Sequence, residues 1–147
     1  ILLVDADFYK DIAEELVRGA VRQLEEKNLK YDRFSVPGAL EIPSAIATIS
    51  QQKSINPYIG YVALGCVIRG ETSHYDIVCN ESARGLMNLG INKGLAIGNG
   101  ILTVDNADQA WTRASIRKKN KGRDAVLACL SIVRLKKSIY GDPSYTP

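Results

Sequence analysis

Apolar residues recur along this chain in two alternating rhythms. Residues 1–4 (Ile, Leu, Leu, Val) form a short apolar run that reads as a buried strand. Ile12, Ala13, Leu16, Val17, Ala20, Val21 and Leu24 then recur at three- and four-residue steps, the spacing of an amphipathic helix. Glu14, Glu15, Arg18, Arg22 and Glu25 fall on its polar face. A strand over 31–36 follows and ends at Pro37 and Gly38, which lack a ladder donor and permit a sharp turn respectively. The next helix spans about 41–51, with Ile42, Ala45, Ile46 and Ile49 on one face and Pro43 in its first turn.

Residues 58–68 are almost continuously apolar, as expected of a strand covered on both faces. A helix after Ser73 is expected to run to about Leu89 and stop near Gly90. A strand over 95–102, a short helix over 107–114 and a longer one over 121–139 complete the pattern. The tail, residues 141–147, contains two prolines and should fray. Strands thus alternate with helices, which implies right-handed βαβ crossovers. The expected fold is α/β, a flavodoxin-like three-layer αβα sandwich around a four-stranded parallel sheet. No linker or repeat interrupts it, so residues 1–147 read as one domain. The chain opens inside an apolar run without a methionine, so residues preceding Ile1 are expected.

The length, 147 residues, suits one domain with a sizeable core. The net charge is +3, and lysine and arginine are scattered except over residues 117–123, leaving no broad basic footprint for nucleic acid. No apolar run approaches the ~20 residues of a membrane span, and no signal-peptide pattern opens the chain. Cys66, Cys79 and Cys129 lack Cys-x-x-Cys spacing and lie among apolar residues. They read as small reduced core residues of a cytoplasmic protein, with a catalytic thiol as the alternative. A P-loop signature is absent. Gly98, Asn99 and Gly100 lack the third glycine of a dinucleotide fingerprint, and a single histidine with dispersed cysteines argues against zinc.

In open parallel sheets ligands bind beyond the carboxyl ends of the strands. Residues 5–9, 36–41, 69–74 and 103–106 should therefore meet at one edge. Gly70, Glu71, Thr72 and Ser73 precede a helix there. They serve either as a plain cap or as a cradle in which free N–H groups and the helix dipole hold a phosphate. Arg69 adds charge to that cradle or pairs with Glu41 or Asp76. His74, the one histidine, lies beside it, and an imidazole exchanges protons near neutrality. Phe8 is a stacking platform or a peripheral core residue. Glu41 complements a helix dipole or accepts from a hydroxylated ligand. Arg113, Arg117, Lys118, Lys119 and Lys121 are a solvated surface or reach a phosphate.

Three motifs carry a family resemblance. The first is Val36, Pro37, Gly38, Ala39, Leu40, Glu41, Ile42 and Pro43. The second is Gly65, Cys66, Val67, Ile68, Arg69, Gly70, Glu71, Thr72, Ser73, His74, Tyr75 and Asp76. The third is Asn120, Lys121 and Gly122. With Val78, Cys79, Asn80 and Glu81, and residues 100–103, the chain resembles the lumazine synthases over nearly its whole length. The resemblance implies condensation of 5-amino-6-(D-ribitylamino)uracil with 3,4-dihydroxy-2-butanone 4-phosphate to 6,7-dimethyl-8-ribityllumazine, the penultimate compound of riboflavin biosynthesis. Phosphate and water leave, and neither cofactor nor metal is needed.

By motif, the resemblance assigns Phe8 to the pyrimidine ring, and Ala39, Leu40 and Glu41 to the ribityl chain and ring edge. Val67 and Ile68 hold the pyrimidine, and Glu71 and Thr72 offer N–H groups to the phosphate. Arg113 is its counter-charge, His74 moves protons and Lys121 supports the site electrostatically. Asp7 and Tyr9 stand where the family often has arginine and asparagine. Leu40 and Asn99 stand where it often has aromatics, the second one given by the neighbouring subunit. The family's sites lie between subunits of a pentamer, and some members build larger shells, so a homo-oligomer is expected. The other readings are a catalytically weak flavin-binding module of the same architecture and a shell-forming homologue.

Overall fold

The computed structural model describes residues 1–52 and 58–141. The expected fraying of the tail beyond Gly141 lies outside the described residues. Among the described residues four strands, β1 (Leu2–Ala6), β2 (Asp32–Val36), β3 (Tyr61–Ile68) and β4 (Ile97–Val104), form one all-parallel sheet in the order β2-β1-β3-β4. Five helices among the described residues connect and cover them: α1 (Lys10–Glu26), α2 (Glu41–Ser50), α3 (His74–Lys93), α4 (Ala107–Ala114) and α5 (Lys121–Tyr140). The α/β three-layer reading and the flavodoxin-like strand order therefore hold.

The two central strands are buried along their length, as a parallel sheet covered on both faces requires. Leu3, Val62, Leu64 and Leu102 pack one sheet face on Leu16, Ala20 and Leu24 of α1 and on Val126, Cys129 and Val133 of α5. Leu2, Val4, Ala6, Tyr61 and Ala63 pack the other face on Ile42 and Ile46 of α2 and Leu86 and Leu89 of α3. α5 approaches β4 so closely that a Cβ at Gly98 would overlap the Ala125 carbonyl oxygen. The two glycines flanking Asn99 thus serve helix–sheet packing, not a dinucleotide.

Three local readings are corrected. β1 continues through Asp5 and Ala6, so Asp5 is a fully buried strand residue. α3 passes through Gly90 and ends at Gly94, whose φ of 63° takes the left-handed cap position. Leu89 is buried, and carrying the helix past it outweighs the ~1 kcal/mol that an interior glycine costs. Glu15 does not face solvent: its Oε1 accepts from the Ile116 N–H at 2.9 Å, and its Oε2 pairs with Arg18 Nη2 at 2.6 Å. Side chains cap α4 and α5 as their asparagines suggest. Asn106 accepts from Gln109 N–H at 2.9 Å, and Asn120, at φ 46°, accepts from Arg123 N–H at 3.4 Å.

Candidate active site

β1 and β3 are neighbours, but the chain leaves them toward opposite faces of the sheet: β1 leads into α1 and β3 into α3. A crevice opens at such a reversal, beyond the strand ends. Here it is a cavity of about 420 Å³. The β1–α1 loop gives Phe8 and Tyr9 to its wall. The β2–α2 loop and first turn give residues 37–41. The end of β3 gives Cys66, Val67 and Ile68, and the turn into α3 gives Gly70, Thr72, His74, Tyr75 and Val78.

Each wall has a local cause. Phe8 sits on the loop tip, 73% exposed, with only an edge contact to Tyr9 at 5.0 Å between centroids. An aromatic ring that finds no core of its own presents a face to a planar ligand. Ala39 is buried beneath Leu40 and Glu41, which are exposed at the start of α2. The Glu41 N–H donates to the Gly38 carbonyl at 3.2 Å, folding this loop into a tight turn. A Cβ at Gly38 would stand 2.9 Å from Glu41 Oε2, so glycine leaves the carboxylate its place. Val67 is buried and Ile68 half-buried, giving an apolar floor.

The start of α3 supplies polarity. Ser73 makes no side-chain cap, and the His74 N–H reaches Thr72 Oγ1 only at a long 3.4 Å. The plain-cap reading is thus weak. The Asp76 N–H turns back to the Ser73 carbonyl at 3.0 Å, while among the described residues the N–H groups of Glu71 and Thr72 make no hydrogen bond and keep their capacity for an anion. A Cβ at Gly70 would meet nothing within 4 Å, so a ligand can approach this backbone. His74 is exposed at the cavity edge. Arg69 is committed elsewhere, with Nε 3.3 Å from Asp105 Oδ1 and Nη1 3.7 Å from Asp76 Oδ1. Burial pushes the Cys66 thiol up to about 11, so it lines the floor as a neutral group.

The cavity therefore gathers Phe8, Ala39, Leu40, Glu41, Val67, Ile68, Thr72 and His74. Glu71 lies exposed between two lining residues, Gly70 and Thr72. Arg113, Lys121 and Asn99 are not brought in. Arg113 is half-buried on α4, and its Nη1 donates to the Gln109 carbonyl at 3.2 Å. Lys121 Nζ lies 3.0 Å from Asp124 Oδ2. Asn99 stands midway along β4, and its Oδ1 accepts from the Ile101 N–H at 2.9 Å. The segment 103–106 also stays out of the wall, because β4 lies beyond β3 from the crevice. Sequence reasoning gave Cys66 and Tyr75 no place in the wall. Tyr75 had a signal, an aromatic directly after the histidine. Among the described residues no cluster of side chains can hold a metal ion.

The sequence profile of 6,7-dimethyl-8-ribityllumazine synthase matches residues 1–137. A Bartonella tribocorum protein named 6,7-dimethyl-8-ribityllumazine synthase is 55% identical over 142 residues, 97% of this chain and 92% of its own length. The Agrobacterium fabrum protein of that name is 51% identical, over 96% of this chain and 97% of its own length. The one from Methylorubrum populi is 49% identical, over 98% and 86%. The chain belongs to the 6,7-dimethyl-8-ribityllumazine synthase family.

Proposed function

We propose that this chain is a transferase of riboflavin biosynthesis. It condenses 5-amino-6-(D-ribitylamino)uracil with 3,4-dihydroxy-2-butanone 4-phosphate and releases 6,7-dimethyl-8-ribityllumazine, phosphate and two waters. The observation that carries this reading is the meeting, in one cavity, of an unpacked aromatic face, an uncapped helix start and the one histidine.

Phe8 stacks on the pyrimidine over the floor of Val67 and Ile68. Glu41, with Ala39 and Leu40, accepts from the ribityl hydroxyls and the ring edge. The backbone N–H groups of Glu71 and Thr72 hold the phosphate. The pyrimidine's amine attacks the ketone, and the carbinolamine loses the first water to give an imine. Elimination then expels the phosphate, and attack of the ribitylamino nitrogen closes the ring with loss of the second water. Each step is proton transfer beside a stabilised anion, which His74 and the cradle supply. Holding the two substrates in register contributes on the order of 7–11 kcal/mol of the rate. No step calls on a cofactor or metal.

Among the described residues, no lysine or arginine lines the cavity, although a phosphate must be neutralised there. We assign that charge to Arg113, assisted by Lys121, from a neighbouring copy in a homo-oligomer, a pentamer by family resemblance, with Asn99 of the same neighbour flanking the ring. The exposed apolar side chains Trp111, Leu127, Ile132 and Leu135 support such contacts. The three free thiols support a cytoplasmic setting.

The test is subunit complementation. His74→Ala and Arg113→Ala oligomers should each be weak. Oligomers assembled from an equal mixture should recover activity at about a quarter of their sites, those pairing one intact face with the other. A wild-type chain that turns over while the mixture recovers nothing would reject the shared site.

A further inference from the structure

The loop that carries the anion cradle is held by little along its own length. Residues 69–74 are all exposed, Ser73 provides no cap, and the Thr72 contact is long. Productive chemistry nevertheless requires placement within roughly 0.5 Å. The restraint comes from the flank. Arg69 leaves β3 with its N–H donating to the Val104 carbonyl at 2.9 Å. Its guanidinium lies 4.1 Å from the centre of the Tyr75 ring, while Asp105 at 3.3 Å and Asp76 at 3.7 Å hold its nitrogens. Tyr75 follows His74 directly, is half-buried, and lines the cavity. Its hydroxyl lies near Thr103 on β4 and Cys79 one turn along α3. One ring is thus clamped between the ends of β3 and β4 and the second turn of α3.

Building on the proposed function, we propose that Tyr75 and Arg69 are positioning residues. Their stack fixes the first turn of α3 against β4 and thereby aims His74 and the Thr72 N–H at the phosphate end of the substrate. Arg69 is not a phosphate ligand in this arrangement, since two carboxylates already hold its guanidinium. The effect should fall on one substrate. The pyrimidine site, Phe8 with the residues of the α2 start and the β3 floor of Val67 and Ile68, stands outside the first turn of α3 and does not move with it.

The experiment compares Tyr75→Phe, Tyr75→Leu, Arg69→Lys and the Tyr75→Leu/Arg69→Lys double variant. It measures kcat, KM for each substrate, and inhibition by inorganic phosphate as a probe of the cradle. Tyr75→Leu removes the stack. Arg69→Lys keeps the charge but loses the planar fork. Both should lower kcat and weaken butanone phosphate and inorganic phosphate by about tenfold, the scale expected of a sub-ångström misplacement. KM for the pyrimidine should stay near wild type. Tyr75→Phe, which keeps the stack, should lie between. The double variant should be no worse than the worse single, because both remove one unit. Equal changes in both KM values, a wild-type-like Arg69→Lys, or additive losses would overturn the proposal. Arg69 is exposed, so Arg69→Lys folds and carries the test even where Tyr75→Leu does not. A wild-type protein without turnover would fail the functional reading; normal turnover with unchanged phosphate inhibition in Arg69→Lys fails this inference alone.

Discussion

Arg33 grips Asp5 with two nitrogens, Nε at 2.8 Å from Oδ1 and Nη2 at 2.9 Å from Oδ2, and so ties β2 to β1. Asp5 is fully buried, and Ser35 Oγ donates to it at 3.1 Å. Glu14 on α1 takes the outer edge of the same guanidinium at 2.6 Å. Asp5 and Glu14 together hold Arg33 more firmly protonated than usual. Arg33→Met leaves a buried carboxylate without its cation, which costs on the order of 3–5 kcal/mol. Urea unfolding should show a loss of that size, and a change within error would contradict this role.

The contact between α1 and α5 depends on absent side chains. A Cβ at Gly122 would overlap the Leu16 carbonyl oxygen, and one at Gly19 would overlap Asn120 Oδ1. Backbone cannot retreat as a flexible side chain can. Gly122→Ala should destabilise by about 1–3 kcal/mol or more despite better helix propensity. A rise in Tm on this substitution would show that the helices are not in such close contact.

Two buried thiols make the fold sensitive to alkali. Burial pushes Cys129 from 9.0 up to about 11, and Cys66 likewise, with Cys79 adding to the second. Below pH 9 both thiols are neutral in either state and their contribution is fully present. Between pH 9 and pH 11 the unfolded chain ionises while the folded one does not, so stability falls as pH rises. Tm should drop across this window, and Cys129→Ala should flatten the drop. Parallel slopes for wild type and variant would contradict the assignment.

Within the site, Phe8 and His74 should separate kinetically. Phe8→Ala removes one stacking face, worth about 1–3 kcal/mol per base. KM for the pyrimidine should rise accordingly, with little change for the butanone phosphate. His74→Ala should lower kcat by ~10²-fold, the usual size of an acid–base contribution. A kcat unchanged by His74→Ala across pH 6–8 would remove His74 from proton transfer.

Most of the architecture was legible locally. The Ile12 to Leu24 periodicity and the apolar run into Ile68 each reflect one element's burial, and burial leaves a period in the sequence. What failed depends on distant partners. Glu15 reads as solvent-facing because nothing nearby reveals its acceptor role toward the Ile116 N–H, 101 positions away. Gly90 reads as a helix stop because glycine usually punctuates; the position that requires a left-handed residue is 94. Phe8, Glu41, Thr72 and His74 were legible because each lies in the loop or first helical turn that follows a strand. Tyr75 escaped because its partners, Arg69 and Thr103, lie on the two strand ends that its side chain joins. Arg113 and Lys121 stood out only as members of a basic cluster, and Asn99 entered through family resemblance; a single chain leaves all three off the cavity.

One assay decides whether this cavity makes the lumazine. Purified protein is mixed with 5-amino-6-(D-ribitylamino)uracil and 3,4-dihydroxy-2-butanone 4-phosphate, and lumazine absorbance and free phosphate are followed together. Both products should appear in equal amounts, well above the spontaneous rate, with no added metal or cofactor. Product formation at the spontaneous rate would contradict the proposed function.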